Sequence, residues 1–320
     1  MSRIIVFFSI VLLVFSGTAR GMGVFWQAQD YLMEAILQVE RMDLDEDGKD
    51  ELIILGRNYE ARETFIYALT WSGREWLVLW QSPNLFETAS PIYMAVGDFR
   101  GSGPELLVMT NTKYRIYHWS SKGFEEVWSG ANTFPVRLAT GLARTEGVDY
   151  LIRTRLARTT ELTVFDELVL LMWQEPEGFV ELSRTGEISH IRALNAADIG
   201  GSGQTEVFTE TGEAMARGEV QVWQITPQNK FKRLFAGTLS SSPVFAMAGG
   251  DFLAKSLLVI GDNAGRINLY GLTGNGLQSE GKQLRVGYGL VSAAVGTFTG
   301  NQSNEIAMVR YPAELMLISE

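Results

Sequence analysis

The chain of 320 residues has no cysteine, two histidines and eight prolines. Without thiols it forms no disulfide, no thiolate zinc site, no iron–sulfur cluster and no cysteine nucleophile. Two histidines are also too few for a polyhistidine metal centre. Because acidic residues outnumber basic ones and the formal net charge is −10, we expect no nucleic-acid partner.

Glycine and aromatic residues are abundant instead. The chain has 33 glycines, 17 phenylalanines, 10 tyrosines and 8 tryptophans, and 46% of its residues are hydrophobic while 20% are charged. That composition excludes a mainly disordered chain and is sufficient for a real core. Aromatic segments separated by glycine-rich turns favour an antiparallel β protein over a helical one.

The first residues are typical of an export signal. Arg3 precedes an almost entirely apolar run over residues 4–15, and small residues follow up to Ala19. This pattern predicts a signal peptide over 1–19, cleaved after Ala19, and one mature domain over 20–320 that is extracellular, cell-surface or periplasmic. The apolar run is short for a membrane-spanning helix, which needs roughly 20 residues, so we expect membrane attachment only if the segment stays uncleaved.

One phrase recurs through the chain: small apolar residues, an aspartate or a substitute, a turn of glycine and serine, an acid, and an apolar run. The copies begin at residues 43, 98, 142, 198, 251 and 297, so that successive copies lie 44 to 56 residues apart. Because four short strands and their turns need roughly 40–50 residues, this period is typical of a propeller blade.

Alternating aromatic strands separated by a polar turn follow each phrase, as in residues 114–119 and 124–128. The last copy ends one strand short, whereas residues 24–27 have no partner in sequence. We therefore predict an all-β fold, a six-bladed β-propeller of four-stranded antiparallel blades whose last blade is closed by the N-terminal strand. Closure of this kind removes exposed sheet edges. Seven blades would require a further blade that the sequence does not show.

The first copy of the phrase has the pattern of a calcium loop. Its carboxylates stand at Asp43, Asp45, Asp47 and Glu51. Alternate carboxylates converge when a loop curls, Gly48 permits the sharp turn, and the backbone carbonyl of Lys49 adds to the oxygen ligands that Ca²⁺ prefers. An EF-hand needs its final acid at position 12 and a flanking helix, whereas here the acid comes at position 9 and leads into a strand. The alternative is an acidic surface turn that binds no ion.

This segment, Asp-Leu-Asp-Glu-Asp-Gly-Lys-Asp-Glu-Leu, resembles the calcium loop of the FG-GAP/VCBS repeats found in integrin α heads, with Glu51 where that family more often has Asp. The resemblance implies a propeller with structural Ca²⁺ between the first two strands of a blade, and a role in adhesion, ligand binding or scaffolding. The later copies keep the first acid at Asp98, Asp198 and Asp251 but lack acids at the third and fifth positions. We expect those loops to bind no ion and to turn through glycine and serine hydrogen bonds.

Basic side chains recur where we place the connections between second and third strands: Arg57, Arg62, Lys113, Arg155, Arg158, Arg217, Arg266 and Arg310. These connections share one face of a propeller, and a cationic patch there would suit an anionic glycan. Acidic residues in or beside the same loops would neutralise such a patch: Glu60, Glu63, Glu161, Glu213, Asp262 and Glu314. We expect the tryptophans to pack between blades, and His118 and His190 to be structural.

No Gly-x-Ser-x-Gly motif, Walker loop or dinucleotide fingerprint appears in the sequence. We therefore favour an exported, non-enzymatic propeller that binds a protein or an anionic glycan on its loop face. One alternative is a calcium-dependent carbohydrate-active enzyme, a lyase or glycosidase, whose catalytic groups would come from different blades. Another is a membrane-tethered envelope assembly factor, which would retain residues 1–19.

Overall fold

The computed structural model describes residues 22–28, 33–85, 91–133, 135–144, 147–161, 163–213, 216–300 and 304–320. Every regular element within these ranges is a β-strand. Over the same ranges no helix has the length and apolar character that crossing a membrane requires. The predicted signal peptide, residues 1–19, lies outside the described residues.

The strands form six antiparallel sheets, and the first three follow one another along the chain. Blade 1 consists of β2 (Ala35–Met42), β3 (Glu51–Asn58), β4 (Glu63–Trp71) and β5 (Trp76–Gln81). Blade 2 consists of β6 (Tyr93–Gly97), β7 (Glu105–Met109), β8 (Lys113–Ser120) and β9 (Gly123–Ala131). Blade 3 consists of β10 (Ala139–Leu142), β11 (Tyr150–Thr159), β12 (Val164–Gln174), β13 (Gly178–Arg184) and the short β14 (Ile188–Ser189).

The remaining three blades continue the same order. Blade 4 consists of β15 (Ile191–Ala197), β16 (Glu206–Thr211), β17 (Glu219–Ile225) and β18 (Phe231–Gly237). Blade 5 consists of β19 (Val244–Phe252), β20 (Lys255–Asp262), β21 (Arg266–Thr273) and β22 (Gly276–Arg285). Blade 6 consists of β23 (Leu290–Gly296), β24 (Glu305–Arg310), β25 (Glu314–Ser319) and, from the other end of the chain, β1 (Gly23–Ala28).

The ring is closed by the N-terminal strand. β1 pairs antiparallel with β25, beginning with Gly23 opposite Ser319. The first strands of the blades pack side by side around a central axis, with β2 between β23 and β6. At the closing seam the Ile36 N–H donates to the Pro312 carbonyl at 2.8 Å. The prediction of six four-stranded blades closed by the N-terminal strand is confirmed, and the seven-bladed alternative is wrong.

The core lies mainly between neighbouring blades. Trp128 of blade 2 and Trp173 of blade 3 have ring centroids 4.8 Å apart, and Trp80 of blade 1 packs on Phe124 of blade 2 at 5.2 Å. Edge-to-face pairs of this kind contribute about 0.5–1.5 kcal/mol beyond the area that they bury. These tryptophans therefore have the packing role expected for them.

Bulges shape both edges of the blades. In the first strands of blades 1, 4, 5 and 6, one residue is left out of the pairing: Leu37, Arg192, Phe245 and Val291. In the outermost strands of blades 1 to 4 and in β1, the corresponding residues are Leu79, Val127, Leu182, Leu234 and Phe25. A bulge re-aims a side chain and disfavours pairing of an exposed edge with another chain. The inner bulges prove to line the axis.

Candidate functional site

The loop that joins β2 to β3 brings three of the predicted calcium ligands together. Carboxylate oxygens of Asp43, Asp45 and Glu51 all lie within 4.8 Å of one another. Glu51 begins β3 and is only 3% exposed, whereas Asp45 faces solvent. Because Ca²⁺ binds each oxygen at about 2.3–2.6 Å, two oxygens that bind the same ion lie at most roughly 5 Å apart. The three carboxylates therefore fit a calcium ion.

Asp47 and Lys49 bond to each other instead. Asp47 Oδ1 accepts the Lys49 N–H at 2.8 Å, and Asp47 Oδ2 lies 3.0 Å from Lys49 Nζ. The Lys49 ammonium and backbone N–H hold the pKa of Asp47 below its usual range. The structure thus groups three of the four predicted side-chain ligands and leaves Asp47 outside the cluster.

Asp43 also sets the shape of this loop. Its Oδ1 accepts the Asp47 N–H at 3.1 Å, and its Oδ2 accepts the Gly48 N–H at 3.0 Å. Gly48 has a φ of 84°, a left-handed conformation that glycine adopts without a steric penalty. The loop therefore curls around Asp43 through hydrogen bonds of its own.

Glu51 is held in an unfavourable setting for a carboxylate. Burial, together with the nearby Asp45 and Asp47 carboxylates, raises the pKa of Glu51 to about 7, although the Leu44 N–H donates to it at 2.9 Å and opposes the shift. A cation between these carboxylates would favour their charged forms. The chemistry of the donor set therefore suits a divalent cation with oxygen ligands.

The corresponding loop of blade 2 carries its own cation. Glu105 begins β7 as Glu51 begins β3, and its side chain is fully buried. Arg100 donates to the Glu105 carboxylate twice, from its side-chain Nε at 2.6 Å and from its backbone N–H at 3.0 Å. Arg100 stands at the third position of the phrase, where blade 1 has Asp45. The residue that adds negative charge in blade 1 is thus replaced in blade 2 by one that neutralises it.

Blades 4 and 6 hold their late acids by hydrogen bonds. Glu206 accepts the Ile199 N–H at 3.1 Å, and Glu305 accepts the Phe298 N–H at 2.9 Å. Thr299 Oγ1, at the third position of the last copy, also donates to Glu305. A buried acid that accepts a backbone N–H is therefore the shared feature of these loops, whereas the group facing it differs from blade to blade.

The apolar residue that follows the first position of the phrase was not predicted to be part of the site. It is buried in five copies: Leu44, Phe99, Ile199, Phe252 and Phe298. The signal was present in the sequence, because an aspartate or threonine followed by an apolar residue opens each of those copies. This residue anchors the loop to the core.

Two aspartates that were not predicted join neighbouring blades through these loops. Asp50 Oδ2 accepts the Thr297 N–H of blade 6 at 2.8 Å, and Asp149 Oδ2 accepts the Asp98 N–H of blade 2 at 2.8 Å. Both aspartates directly precede the second strand of their own blade. Their position was visible in the sequence, but the partner that each reaches depends on how the blades are arranged around the ring.

The loops between first and second strands surround a cavity of about 630 Å³ at one end of the axis. Its wall includes the side chains of Asp98, Asp149, Asp198 and Asp251. These carboxylates hold loops together: Asp198, for example, accepts the N–H groups of Ser202 (3.1 Å) and Gly203 (2.6 Å). As expected, the loops after Asp98 and Asp198 turn through glycine and serine. The expectation is wrong for Asp251, because β19 and β20 are joined by a tight turn in which Leu253 and Ala254 have φ of 56° and 57°.

Glu40 of β2 lies farther along the axis and lines both this cavity and the one at the opposite end. Burial raises the pKa of its carboxyl to about 7, and the Gln38 amide, which donates to it at 2.9 Å, and the Arg41 cation oppose the shift. The carboxylate is surrounded by protein but still faces the axial space. Among the described residues of the first strands, Glu40 is the one acidic residue that is surrounded by protein and also lines the axial space.

Every blade contributes to the lining of the opposite end of the axis. The cavity there measures about 300 Å³, and its lining includes one residue at the corresponding position of each blade: Leu37, Tyr93, Leu138, Arg192, Phe245 and Val291. Four of the six are the bulge residues of the first strands. The charge of Arg192 is balanced by Glu210, whose Oε2 accepts from Arg192 Nε at 2.7 Å. We call this ring of six residues the axial mouth.

An adjoining cavity of about 400 Å³ adds Arg137 and His190 to the axial mouth. Arg137 contacts the His190 ring and lies 3.5 Å from the Asp166 carboxylate. Burial and the Arg137 cation lower the pKa of His190. His190, for which only a structural role was expected, therefore lies in a cavity wall, whereas His118 lies in β8.

The basic residues predicted for the strand 2–3 connections lie on the same face as the axial mouth, and several are paired. Arg155 bonds to Glu167, Arg158 to Glu187, Arg266 to Asp262 and Arg310 to Glu314. Arg57 donates to Thr64 Oγ1 at 3.2 Å. Arg62, Lys113 and Arg217 form no ion pair with any residue that the structure describes. The ion pairs favour the neutralised interpretation of this face over a continuous cationic patch.

No protein-family model matches this chain, and no curated protein matches it at a significant level.

Proposed function

We propose that this chain is an exported, non-catalytic β-propeller that serves as a binding or scaffold module and takes a protein or an anionic glycan at its axial mouth. The observation that carries the proposal is that every blade contributes to the lining of this mouth. Concave surfaces lined by apolar and aromatic side chains, with a few placed polar groups, are the usual form of ligand sites. Tyr93 and Phe245 supply the aromatic surface, and Arg137 and His190 the polar groups.

Site-directed photo-crosslinking tests this assignment, because the chain has no cysteine of its own. A photoreactive group attached at Tyr93→Cys would lie at the axial mouth, and one attached at Arg74→Cys would lie in the β4–β5 turn, at the other face of the ring. In the producing cells we expect a discrete crosslinked partner from the first position and none from the second. Equal crosslinking from both, or none from Tyr93→Cys, would contradict a ligand site at the mouth.

We further propose that the propeller is of the FG-GAP/VCBS type and that its blade 1 loop holds one structural Ca²⁺. Asp43, Asp45 and Glu51 would hold the ion. Asp47, which bonds to Lys49 in the structure, and the Lys49 carbonyl would complete the predicted ligand set. The convergence of the three carboxylates within 4.8 Å supports this proposal. A bound ion would cancel their mutual repulsion and cross-link the loop.

Calcium titration followed by thermal unfolding tests the ion site. We expect calcium to raise the melting temperature of the protein and to leave that of the Asp45→Ala variant unchanged. If calcium shifts neither melting curve, the loop is an acidic turn and the proposal of a structural ion fails.

A second candidate function is a calcium-dependent lyase or glycosidase. It is favoured by the 630 Å³ cavity, in which Glu40, with its raised pKa, shares a wall with several aspartates. A protonated carboxyl near neutral pH is what a general acid requires. Turnover of acidic polysaccharides that is lost in Glu40→Gln would establish this function. Absence of turnover across such a panel would favour the binding module.

Export is proposed from the N-terminal pattern alone. The mass of the mature protein from its host tests it, because removal of residues 1–19 would indicate an exported, soluble propeller. Retention of those residues in the membrane fraction would instead favour the membrane-tethered assembly factor.

A further inference from the structure

A separate cavity lies on the outer rim, between blades 3 and 4. The outermost strand of blade 3 stops at Arg184, the end of β13, and resumes at Ile188 in β14. This interruption borders a cavity of about 440 Å³ whose other wall comes from β17 and β18 of blade 4. The break is fixed, because the Thr185 N–H donates to the Leu168 carbonyl and the Thr185 hydroxyl oxygen accepts the Leu168 N–H, both at 3.0 Å. We call this space the rim cavity.

Positive charge is in surplus in the rim cavity. Three cationic side chains line it: Arg184, Lys230 and Arg233. Lys230 and Arg233 form no ion pair with any residue in the described ranges, and Arg184 has only an exposed contact of 3.8 Å with Glu181. Glu187, the carboxylate in the wall, is bonded at 2.7 Å by Arg158, which lies outside the cavity. On a chain with a net charge of −10, this site is locally cationic.

Two buried polar atoms in the same wall have no hydrogen-bond partner among the described residues: the indole Nε1 of Trp223 and Oε1 of Gln221. Trp223 is 9% exposed and Gln221 is 6% exposed. The amide nitrogen of Gln221 donates to Glu219 at 2.7 Å, which leaves the amide oxygen as the free end. A buried donor without a partner costs about 1–3 kcal/mol, so the indole N–H indicates an acceptor that the chain itself does not supply.

The turn that carries Lys230 is anchored to blade 3, and Arg233 lies against a neighbouring side chain. Lys230 follows a turn of blade 4 in which Asn229 accepts a hydrogen bond from the Tyr150 hydroxyl of blade 3 at 2.9 Å. Ser183 of blade 3 donates to the Asn229 carbonyl as well. Arg233 lies over the Trp223 ring, 5.8 Å from its centroid. Side chains of blade 3 therefore position the backbone of the turn from which Lys230 extends, which lowers the cost of ordering that turn on binding.

We propose that the rim cavity binds an acidic sugar through its sulfate, phosphate or carboxylate group. Guanidinium, ammonium and indole groups are all donors, and together they suit an oxyanion. The Gln221 carbonyl and the hydroxyls of Thr185 and Ser189 suit sugar hydroxyl groups, and Phe231 offers an apolar ring face. Ligand pockets typically measure about 300–1,000 Å³. The rim cavity, at about 440 Å³, is in this range and would accommodate one or two sugar rings. The rim cavity shares no lining residue with the axial mouth, so it is a second site beyond the one proposed above.

Tryptophan-selective NMR of the whole protein tests this proposal. Trp223→Phe assigns the indole N–H signal of Trp223, and the probes are N-acetylglucosamine 6-sulfate, glucose 6-phosphate and glucuronic acid, with neutral N-acetylglucosamine as control. We expect at least one acidic sugar to shift the Trp223 signal in a saturable way, and the neutral sugar to leave it in place. The three acidic probes distinguish which oxyanion the site prefers.

Charge-matched variants locate the site. We expect Arg233→Ala and Lys230→Ala to weaken binding by about tenfold or more, because each removes a charge-assisted hydrogen bond. Lys232→Ala removes the same charge from the same strand outside the cavity wall and should change affinity by less than about twofold. Equal losses in Lys232→Ala and Arg233→Ala, equal binding of the neutral sugar, or no shift with any acidic probe would overturn the proposal. None of these outcomes bears on the axial mouth or the calcium loop, which have their own tests.

Discussion

In blade 1 the buried acid that begins the second strand, Glu51, faces the carboxylates of Asp43 and Asp45, whereas its counterpart in blade 2, Glu105, faces the Arg100 guanidinium. Both acids accept a backbone N–H from the preceding loop. The two loops therefore share a backbone clamp and differ in the charge that surrounds it. The comparison indicates that the backbone clamp is the shared part of the phrase, whereas the charge beside the buried acid differs between the two blades.

The largest expected effect comes from removing the internal cation of blade 2. Arg100→Ala should lower the free energy of unfolding by about 3 kcal/mol, because it leaves the buried Glu105 carboxylate without its charged partner. Urea unfolding with and without calcium measures this change, which should not depend on calcium.

A matched variant separates charge from packing in that experiment. In Arg100→Ala combined with Glu105→Gln the buried charge is absent, so part of the lost stability should return. A cost below about 0.5 kcal/mol for Arg100→Ala alone would show that Glu105 is adequately held by its other hydrogen bonds.

The blade 2 loop can also be given carboxylates at the positions where the blade 1 loop has them. Arg100→Asp with Ser102→Asp places acids at the first, third and fifth positions of the loop, beside Asp98. We expect this double variant to lose stability without calcium and to regain about 2.7 kcal/mol at a calcium concentration one hundred times its dissociation constant. Thermal unfolding across a calcium series gives the measurement, and a response no larger than that of the parent protein would show that loop length also matters.

Glu40 extends the comparison to a buried carboxylate that no cation bonds directly. Its folded pKa of about 7 lies above the value in an unfolded chain, so its ionisation lowers stability as the pH rises from about 4.5 through 7. Glu40→Gln should therefore be about 1–2 kcal/mol more stable than the parent protein near pH 8 and similar to it near pH 4.5. Chemical unfolding at several pH values tests this, and parallel pH profiles of the two proteins would contradict it.

The smallest expected effect comes from placing an arginine in the blade 1 loop at the position that Arg100 occupies in the blade 2 loop. Asp45→Arg should raise the free energy of unfolding without calcium by about 1 kcal/mol, because the new cation faces Glu51. The same change should abolish any response to calcium. Asp45→Ala is the control, since it removes the repulsion without adding a cation; equal stability of the two variants would mean that the arginine does not reach Glu51.

Part of the candidate site was predictable because it depends on residues close together in sequence. The spacing of Asp43, Asp45 and Glu51 was sufficient to predict their convergence in one loop. The bond between Asp47 and Lys49 was not predictable, because a loop aspartate has several partners within reach and spacing alone does not choose among them. The pairing of Arg100 with Glu105 was missed because long side chains can reach many acids.

The axial mouth and the rim cavity could not be predicted, because each is formed by residues that are far apart in sequence. Leu37 and Phe245 lie far apart in the chain and meet because a bulge re-aims each toward the same axis. The rim cavity depends on the break between β13 and β14, and the turn that precedes Lys230 is held by Tyr150 of the neighbouring blade. The axial-mouth residues recur once per blade but share no side-chain type, and the break that forms the rim cavity is not encoded by the repeat.

The sequence by itself determined the blades, their number, and the closing role of the strand around Trp26, because strand alternation and turn residues repeat locally at a regular spacing. Only the tertiary structure decided which side chains share a cavity, which acid meets a cation, and which aspartate joins two blades. The physical reason is that a repeat specifies each sheet through neighbours in sequence, whereas closure of the ring places residues of different sheets in contact.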